Sequence, residues 1–499
     1  MAKWSMIGRC ACLFGIILAD GALAQNVSKS TRNQAVIGLR LEPPHLDPTA
    51  GAAAAIGEVT YANVFEGLTR IGSDGAVQPG LAKAWDMSAD GLTYTFHLRD
   101  KVTFHDGSTF DAQDVKFTLE RAVADTSVNP QKALLEPIET VSVTDPLTVM
   151  VKLRRPTALF PFTLGLPASV IVAPETADTN RTQPVGTGPF KVARWLRGDR
   201  IELSRNDDYW GQMPALSRAT FLVINDPSAA FAALMAGDID AFPNFPAPEN
   251  VPQFQNDPRF AVTVGKTEGK TILATNNARK PLDDIRVRQA IAHAVDRKAL
   301  IDGALYGMGT PIGSHYATQN EGYIDLTGRY PHDPDKARDL LKQAGAGDLT
   351  LRLVLPPPSY ARRSGEIIAS QLQAVGIQVQ IVNVEWAQWL TEVFRDAQYD
   401  LSIVAHVEPH DLDIYARDRY YFNYHNNEYR ALYGRLAAAI DKDERLDLLG
   451  KAQVKLADDA VNGFLFQLPL IVVRDAKLMG LWESAPIQVT DLTGVWWAN

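Results

Sequence analysis

The segment 349–406 constrains the fold most. "LTLRLVL" puts Leu349, Leu351, Leu353 and Leu355 on one parity, the two-residue period of a strand. "RRSGEIIASQLQAVG" follows as a helix closed by Gly376, then "IQVQIVNV" as a strand, "EWAQWLTEVFRDA" as a helix and "YDLSIVAHV" as a third strand. Strand-helix-strand-helix-strand at this spacing demands parallel strands joined by right-handed crossovers. In such open sheets, ligands bind beyond the carboxyl ends of the strands. Two loops leave those ends, "PPPSYARR" after Leu355 and "HVEPHDLDIYARD" after Val404, and they should open on one edge.

Both loops are rich in charge. Arg362 and Arg363 open a helix, where the dipole disfavours cations and where an anion or carboxylate is well received. Tyr360 stands beside them, and Tyr415 follows the second loop. That loop packs His406, Glu408, His410, Asp411 and Asp413 into eight residues. The spacing His406-x-Glu408-x-His410 raises a metal site, but Pro409 and the strand ending nearby oppose the helical i, i+4 geometry of a zinc hydrolase. No G-x-S-x-G, H-E-x-x-H or phosphate-binding loop is present, and "VGTGPF" runs into a strand.

A second His/Asp-rich stretch, 90–123, reads as framework. Tyr94, Phe96 and Leu98 share a parity that leaves His97 on a polar face, and His105 faces solvent by the same count. Asp106-Gly107 is a turn. Asp111 caps a helix with the apolar stripe Val115, Leu119, Ala122 and Val123, and Asp114 suits its dipole. Elsewhere, "EVTYANVFEGLTRI" reads as one helix and "DDIRVRQAIAHAVDRKALIDGAL" as one long amphipathic helix. "FPNFPAPENVPQF" reads as a surface loop, and "GFLFQLPLIVV" as a buried strand.

The N-terminus reads as a secretory signal over residues 1–24: Lys3 and Arg9, the short apolar run "CLFGIILA", and "ALA" ending at Ala24. Cys10 and Cys12 both precede that cleavage point, so the mature chain carries no cysteine. A chain of this length buries enough core without disulfides. Removing Lys3, Arg9 and Asp20 takes the formal charge from −9 to about −10. An acidic exported chain without a basic stripe is a poor nucleic-acid binder.

Three long blocks carry a resemblance. "LAKAWDMSADGLTYTFHLRDKVTFHDGSTFDAQDVKFTLER", "GTGPFKVARWLRGDRIELSRNDDYW" and "PLDDIRVRQAIAHAVDRKAL" lie in the order seen in family 5 extracellular solute-binding proteins, the peptide-, dipeptide- and nickel-type receptors of ABC importers. The resemblance implies a two-lobed α/β periplasmic-binding-protein fold of the cluster C type, with two hinge crossings near 271–274 and 472–477. It places the first lobe at 25–270 with an inserted subdomain at about 51–184, the second at 271–477, and a C-terminal return at 478–499.

It implies no catalysis, no cofactor and no metal. It implies a monomer that hands a peptide or peptide-like solute from the cleft to membrane permease subunits. Ligand contacts are expected at Tyr360, Arg362, Arg363, His406, Glu408, Asp411 and Tyr415. Peptide-binding members carry a Trp and an amine-receiving Asp after the strand equivalent to 399–404; here His406 and Pro409 align with them. That departure admits a modified peptide, a metal chelate, an opine-like conjugate or a sugar-derived ligand. A secreted metal-dependent hydrolase using His406, Glu408 and His410 is the reading of another class.

Overall fold

The computed structural model describes residues 30–499. The expected signal segment, with Cys10 and Cys12, lies outside the described residues. The three expected parallel strands form: Leu349–Leu355 pairs in parallel with Ile377–Asn383 on one side and with Leu401–His406 on the other. Helix Ser359–Ala374 crosses between the first two, and Gly376 turns the chain at φ +96°.

These strands are one end of a sheet of eleven described strands that runs through the whole molecule. Leu401–His406 pairs antiparallel with Phe260–Thr275, which pairs antiparallel with Gly463–Asp475. The sheet continues through Ala241–Phe242, Gln34–Leu39, Arg218–Val223, Arg200–Arg205 and Phe190–Leu196. The two long strands feed cores on both sides. Leu273, Leu465 and Phe466 pack with Leu353, Ile368 and Ile403, whereas Leu470 and Val472 pack with Ile37, Phe190 and Phe221. Their mutual pairing is interrupted between these two cores: Lys266 pairs with Pro469 and Lys270 with Gln467, while Thr267 bridges Ala485 instead.

A separate antiparallel sheet, Ala82–Met87, Thr93–Leu98, Thr148–Leu153 and Ile138–Asp145, covers helix Ala112–Val123 and makes its own core. Asp111 caps that helix reciprocally with Asp114. Toward the C-terminus, Leu478, Leu481, Ile487, Leu492, Val495 and Trp497 join the core that holds Ile37 and Phe221.

Four local expectations are corrected. The helix expected over "EVTYANVFEGLTRI" stops at Thr60, because Ala62 takes a left-handed φ of +61° and the chain turns back to a bridge between Tyr61 and Phe65. The single helix over 283–305 is two, Ile285–Ala294 and Arg297–Leu305, since Asp296 caps the second. The Pro-rich stretch is no surface loop: Phe245, Val251 and Phe254 are buried, and Val251–Gln255 is helical.

His105 also does not face solvent. Its Nε2 is 2.9 Å from the Gly188 carbonyl and its Nδ1 accepts from Gly186 N–H, so it holds the glycine-rich loop. Burial pulls its pKa down to about 4. The glycines are there for backbone contact, since a Cβ on Gly186 would lie 2.0 Å from the Val64 carbonyl oxygen.

Candidate functional site

The two charged loops do open on one edge. Tyr360, in the first turn of helix Ser359–Ala374, accepts a hydrogen bond from the Ala405 N–H at 3.0 Å. Burial raises its hydroxyl pKa to about 12, so it stays a neutral phenol. The arginines beside it turn elsewhere. Arg362 reaches the Val384 carbonyl and the exposed Glu385 carboxylate, each at 3.5 Å. Arg363 lies over the Tyr306 ring, 5.2 Å from its centroid. An exposed pair such as Arg362–Glu385 contributes about 0–1 kcal/mol.

The second loop is built around a buried ionic network. Asp411 is buried, with Oδ1 3.0 Å from Lys270 Nζ and Oδ2 3.1 Å from His315 Nε2. His406 Nδ1 lies 3.6 Å from the same Oδ2, and its Nε2 is 2.9 Å from the Tyr421 hydroxyl. Asn462 Nδ2 donates to the Tyr415 hydroxyl at 3.0 Å, and that hydroxyl is 3.1 Å from His315 Nδ1. With its oxygen receiving from Asn462, Tyr415 gives its own proton to Nδ1, which leaves the His315 proton on Nε2, facing Asp411. Burial pulls His315 down to about 4, so it is neutral. Burial pushes the Asp411 carboxyl up, but Lys270 and His315 outweigh it and hold the group well below the usual range.

Lys270 is the centre of this arrangement. Its ammonium is fully buried and also donates to the Glu408 carbonyl at 2.6 Å. Glu268, in the interrupted stretch of the long strand, lies 3.8 Å away on the other side. Glu268 accepts from Gln319 Nε2 at 2.8 Å and Asn320 Nδ2 at 3.1 Å. Burial raises it to about 7, against the pull of Lys270.

Of the seven expected contacts, the fold therefore gathers His406, Asp411 and Tyr415 into one buried cluster. Glu408 lends only its carbonyl to that cluster, while its carboxylate accepts from Val407 N–H near the surface. Lys270, Glu268 and His315 were missed. A glutamate and a lysine just before the apolar run "TILA" are the one sequence sign that points to the first two.

The His410 ring meets Phe162 edge-on with centroids 4.7 Å apart, and Phe162 packs in the core that holds Ile37. Nearby, Ala158 N–H donates to the Ala437 carbonyl at 3.0 Å. His410 takes a left-handed φ of +56° and bonds the Tyr316 hydroxyl through Nδ1 at 2.7 Å. Burial, then Lys270, pull it down to about 4. Two cavities of about 520 Å³ also exist, one beside Arg297 and His332, the other beside Arg474 and Trp482. No residue of the 406–411 loop lines either.

His406, Glu408 and His410 do not converge as a metal-hydrolase set would require. His315, His406 and Asp411 do bring one donor atom each within 4.8 Å of one another. The Lys270 ammonium already neutralises Asp411 there, and both His315 nitrogens are engaged. A second cation would meet that ammonium at close range, so these residues do not fit a metal ion.

Residues 76–428 match the family described as bacterial extracellular solute-binding proteins, family 5 middle. The chain belongs to family 5 of the extracellular solute-binding proteins. It is 33% identical over 350 residues to the dipeptide-binding protein of Escherichia coli K12, covering 63% of this chain and 64% of that protein, just under two thirds of its length. It is 33% identical over 432 residues to di/tripeptide-binding protein 4 of Pseudomonas aeruginosa UCBPP-PA14, covering 79% of this chain and 78% of that one.

Among solved structures, the periplasmic binding protein AgaA from A. tumefaciens R10, in complex with agropinic acid, superimposes with a TM-score of 0.78 at 26% identity. That match covers 93% of this chain and 99% of the other. This family 5 chain thus has the two-lobed α/β architecture of periplasmic binding proteins. Family 5 is a family of binding proteins that act outside the cytoplasm. Among the described residues, no helix is long and apolar enough to cross a membrane.

Proposed function

We propose that this chain captures a peptide or peptide-like solute between its lobes in the periplasm and delivers it to the permease of an ABC importer. The observation that carries this reading is the geometry of the 406–411 loop. It stands at the carboxyl edge of parallel strands and meets the opposite lobe through Phe162 and His410. The di/tripeptide-binding relative in P. aeruginosa, aligned over 79% of this chain, supports peptides as the solute class. Export by a cleaved signal at residues 1–24 belongs to the same reading, as does the absence of any catalysis.

We further infer that the lobes close not at the expected crossings 271–274 and 472–477 but just before them, about the interrupted pairing at 266–270 and 467–469. Two ladders that lose register over a few residues bend there more easily than within regular sheet. The ligand touches Tyr360 and the exposed groups of the 406–411 loop. His406, Asp411 and Tyr415 support that loop from beneath, and Arg362 and Arg363 stand at its margin.

Calorimetry with a panel of di- and tripeptides tests the reading. A receptor is stabilised by its ligand, about 2.7 kcal/mol at a hundred times Kd, and leaves it chemically intact. Hydrolysis of the bound peptide, or no response to any member of the panel, would refute it.

A further inference from the structure

The free amino end of a peptide is an ammonium group, and burying it calls for a carboxylate partner. The 406–411 loop and its neighbours offer three carboxylates besides Glu268. Asp413 is held by Arg417, at 2.6 and 2.8 Å. Glu408 lies at the surface and accepts from its neighbour's N–H. Asp411 is the buried one, and its charge is already matched within the chain: Lys270 Nζ lies 3.0 Å from Oδ1, which accepts no hydrogen bond, while His315 at 3.1 Å and His406 at 3.6 Å meet Oδ2. Lys270 comes from the strand that joins the lobes and is 1% exposed, so its ammonium does not swing away into water. Its charge also repels any second ammonium brought to the same loop.

We propose that Lys270 is a built-in counter-ion that occupies Asp411 from within the chain, so that the cleft selects peptide-like solutes whose end at the 406–411 loop carries no free ammonium group. An acylated or otherwise uncharged terminus meets no repulsion and needs no carboxylate. A free amino terminus there loses its hydration and finds no unpaired buried acid in return. Lys270 is therefore a specificity-determining residue, although it touches Asp411 rather than the ligand. This rests on the peptide-receptor reading above.

The test compares Ala-Ala-Ala with N-acetyl-Ala-Ala-Ala by calorimetry on three proteins: wild type, Lys270→Met, and Lys270→Met combined with Asp411→Asn. Wild type should bind the acetylated peptide at least tenfold more tightly. Lys270→Met should reverse the preference by freeing Asp411, and the double variant, in which Glu268 is the one buried acid left beside position 270, should lose the reversal. A wild type that prefers the free amine by tenfold, or an unchanged ratio in Lys270→Met, overturns the proposal. If wild type binds neither peptide, it is the peptide reading that fails. The counter-ion is then judged alone, by whether millimolar methylammonium raises the Tm of Lys270→Gly and not that of wild type. Absence of that rescue overturns it too.

Discussion

Phe162 and His410 meet edge to face, with ring planes at 80° and centroids 4.7 Å apart, one ring from the core that holds Ile37 and the other from the 406–411 loop. Such a pair contributes about 0.5–1.5 kcal/mol beyond its buried area. That is enough to bias an open–closed equilibrium without locking it. His410→Ala should therefore shift the empty protein toward the open form, seen as a larger radius of gyration in small-angle scattering. Ligand affinity should fall by up to about tenfold. An unchanged radius with unchanged affinity would show that the pair does not help to hold the lobes together.

The same interface can be locked. Residues 30–499 contain no cysteine, so the pair Ala158→Cys and Ala437→Cys introduces the only thiols of that region. Ala158 N–H and the Ala437 carbonyl are 3.0 Å apart, which brings the two backbones within disulfide reach. The oxidised variant should exchange ligand far more slowly than the reduced one and show no ligand-dependent change in scattering. Equal exchange rates in the two states would mean that closure does not gate the site.

Two glycines should behave in opposite ways. A Cβ on Gly265 would lie 1.4 Å from the Glu483 carbonyl oxygen, because the C-terminal segment packs directly on the long strand. Gly265→Ala should cost about 3 kcal/mol or more, since backbone has to move. Gly434 sits in helix Asn427–Ala438 with nothing within 4 Å of a new Cβ. Gly434→Ala should stabilise by about 1 kcal/mol, the helix-propensity difference. Chemical denaturation measures both.

Glu268 gives a pH signature with a defined sign. Burial raises it to about 7 in the folded protein, against about 4.3 in an unfolded chain. The folded state binds more protons between those values, so the contribution of Glu268 to stability is fully present below about 4.3 and is lost as pH rises through 7. His315 and His410, both pulled down to about 4, act in the opposite sense and cost stability as pH falls below about 6.5. The difference between Glu268→Gln and wild type isolates the first effect. The variant should be more stable by about 1–3 kcal/mol at pH 8 and equal to wild type near pH 4. A difference that does not change with pH would contradict the assignment.

Sequence alone determined what periodicity and local capping control. The parity of "LTLRLVL", the glycine at 376 and the apolar run in "YDLSIVAHV" specify parallel strands and the edge on which the two charged loops open. The three long blocks specify the family. The cap at Asp111 was legible because it acts through residues two or three positions away. The break at Asp296 was not, because apolar spacing continued through it while the cap turned the chain.

Only the tertiary structure decided which charges meet. Lys270, His315 and Asp411 are 45 and 96 residues apart along the chain; the sheet sets strand Phe260–Thr275 against strand Leu401–His406, with Lys270 opposite His406, and the segment after Thr310–Pro311, paired with Gly463–Asp475, brings in His315. Arg362 and Arg363 looked like ligand receivers from their place on a helix, yet Glu385 and Tyr306 take them once the neighbouring elements pack. Periodicity reports which face a side chain occupies. It carries no information on the partner that another segment brings to that face, and for buried charges the partner decides the chemistry.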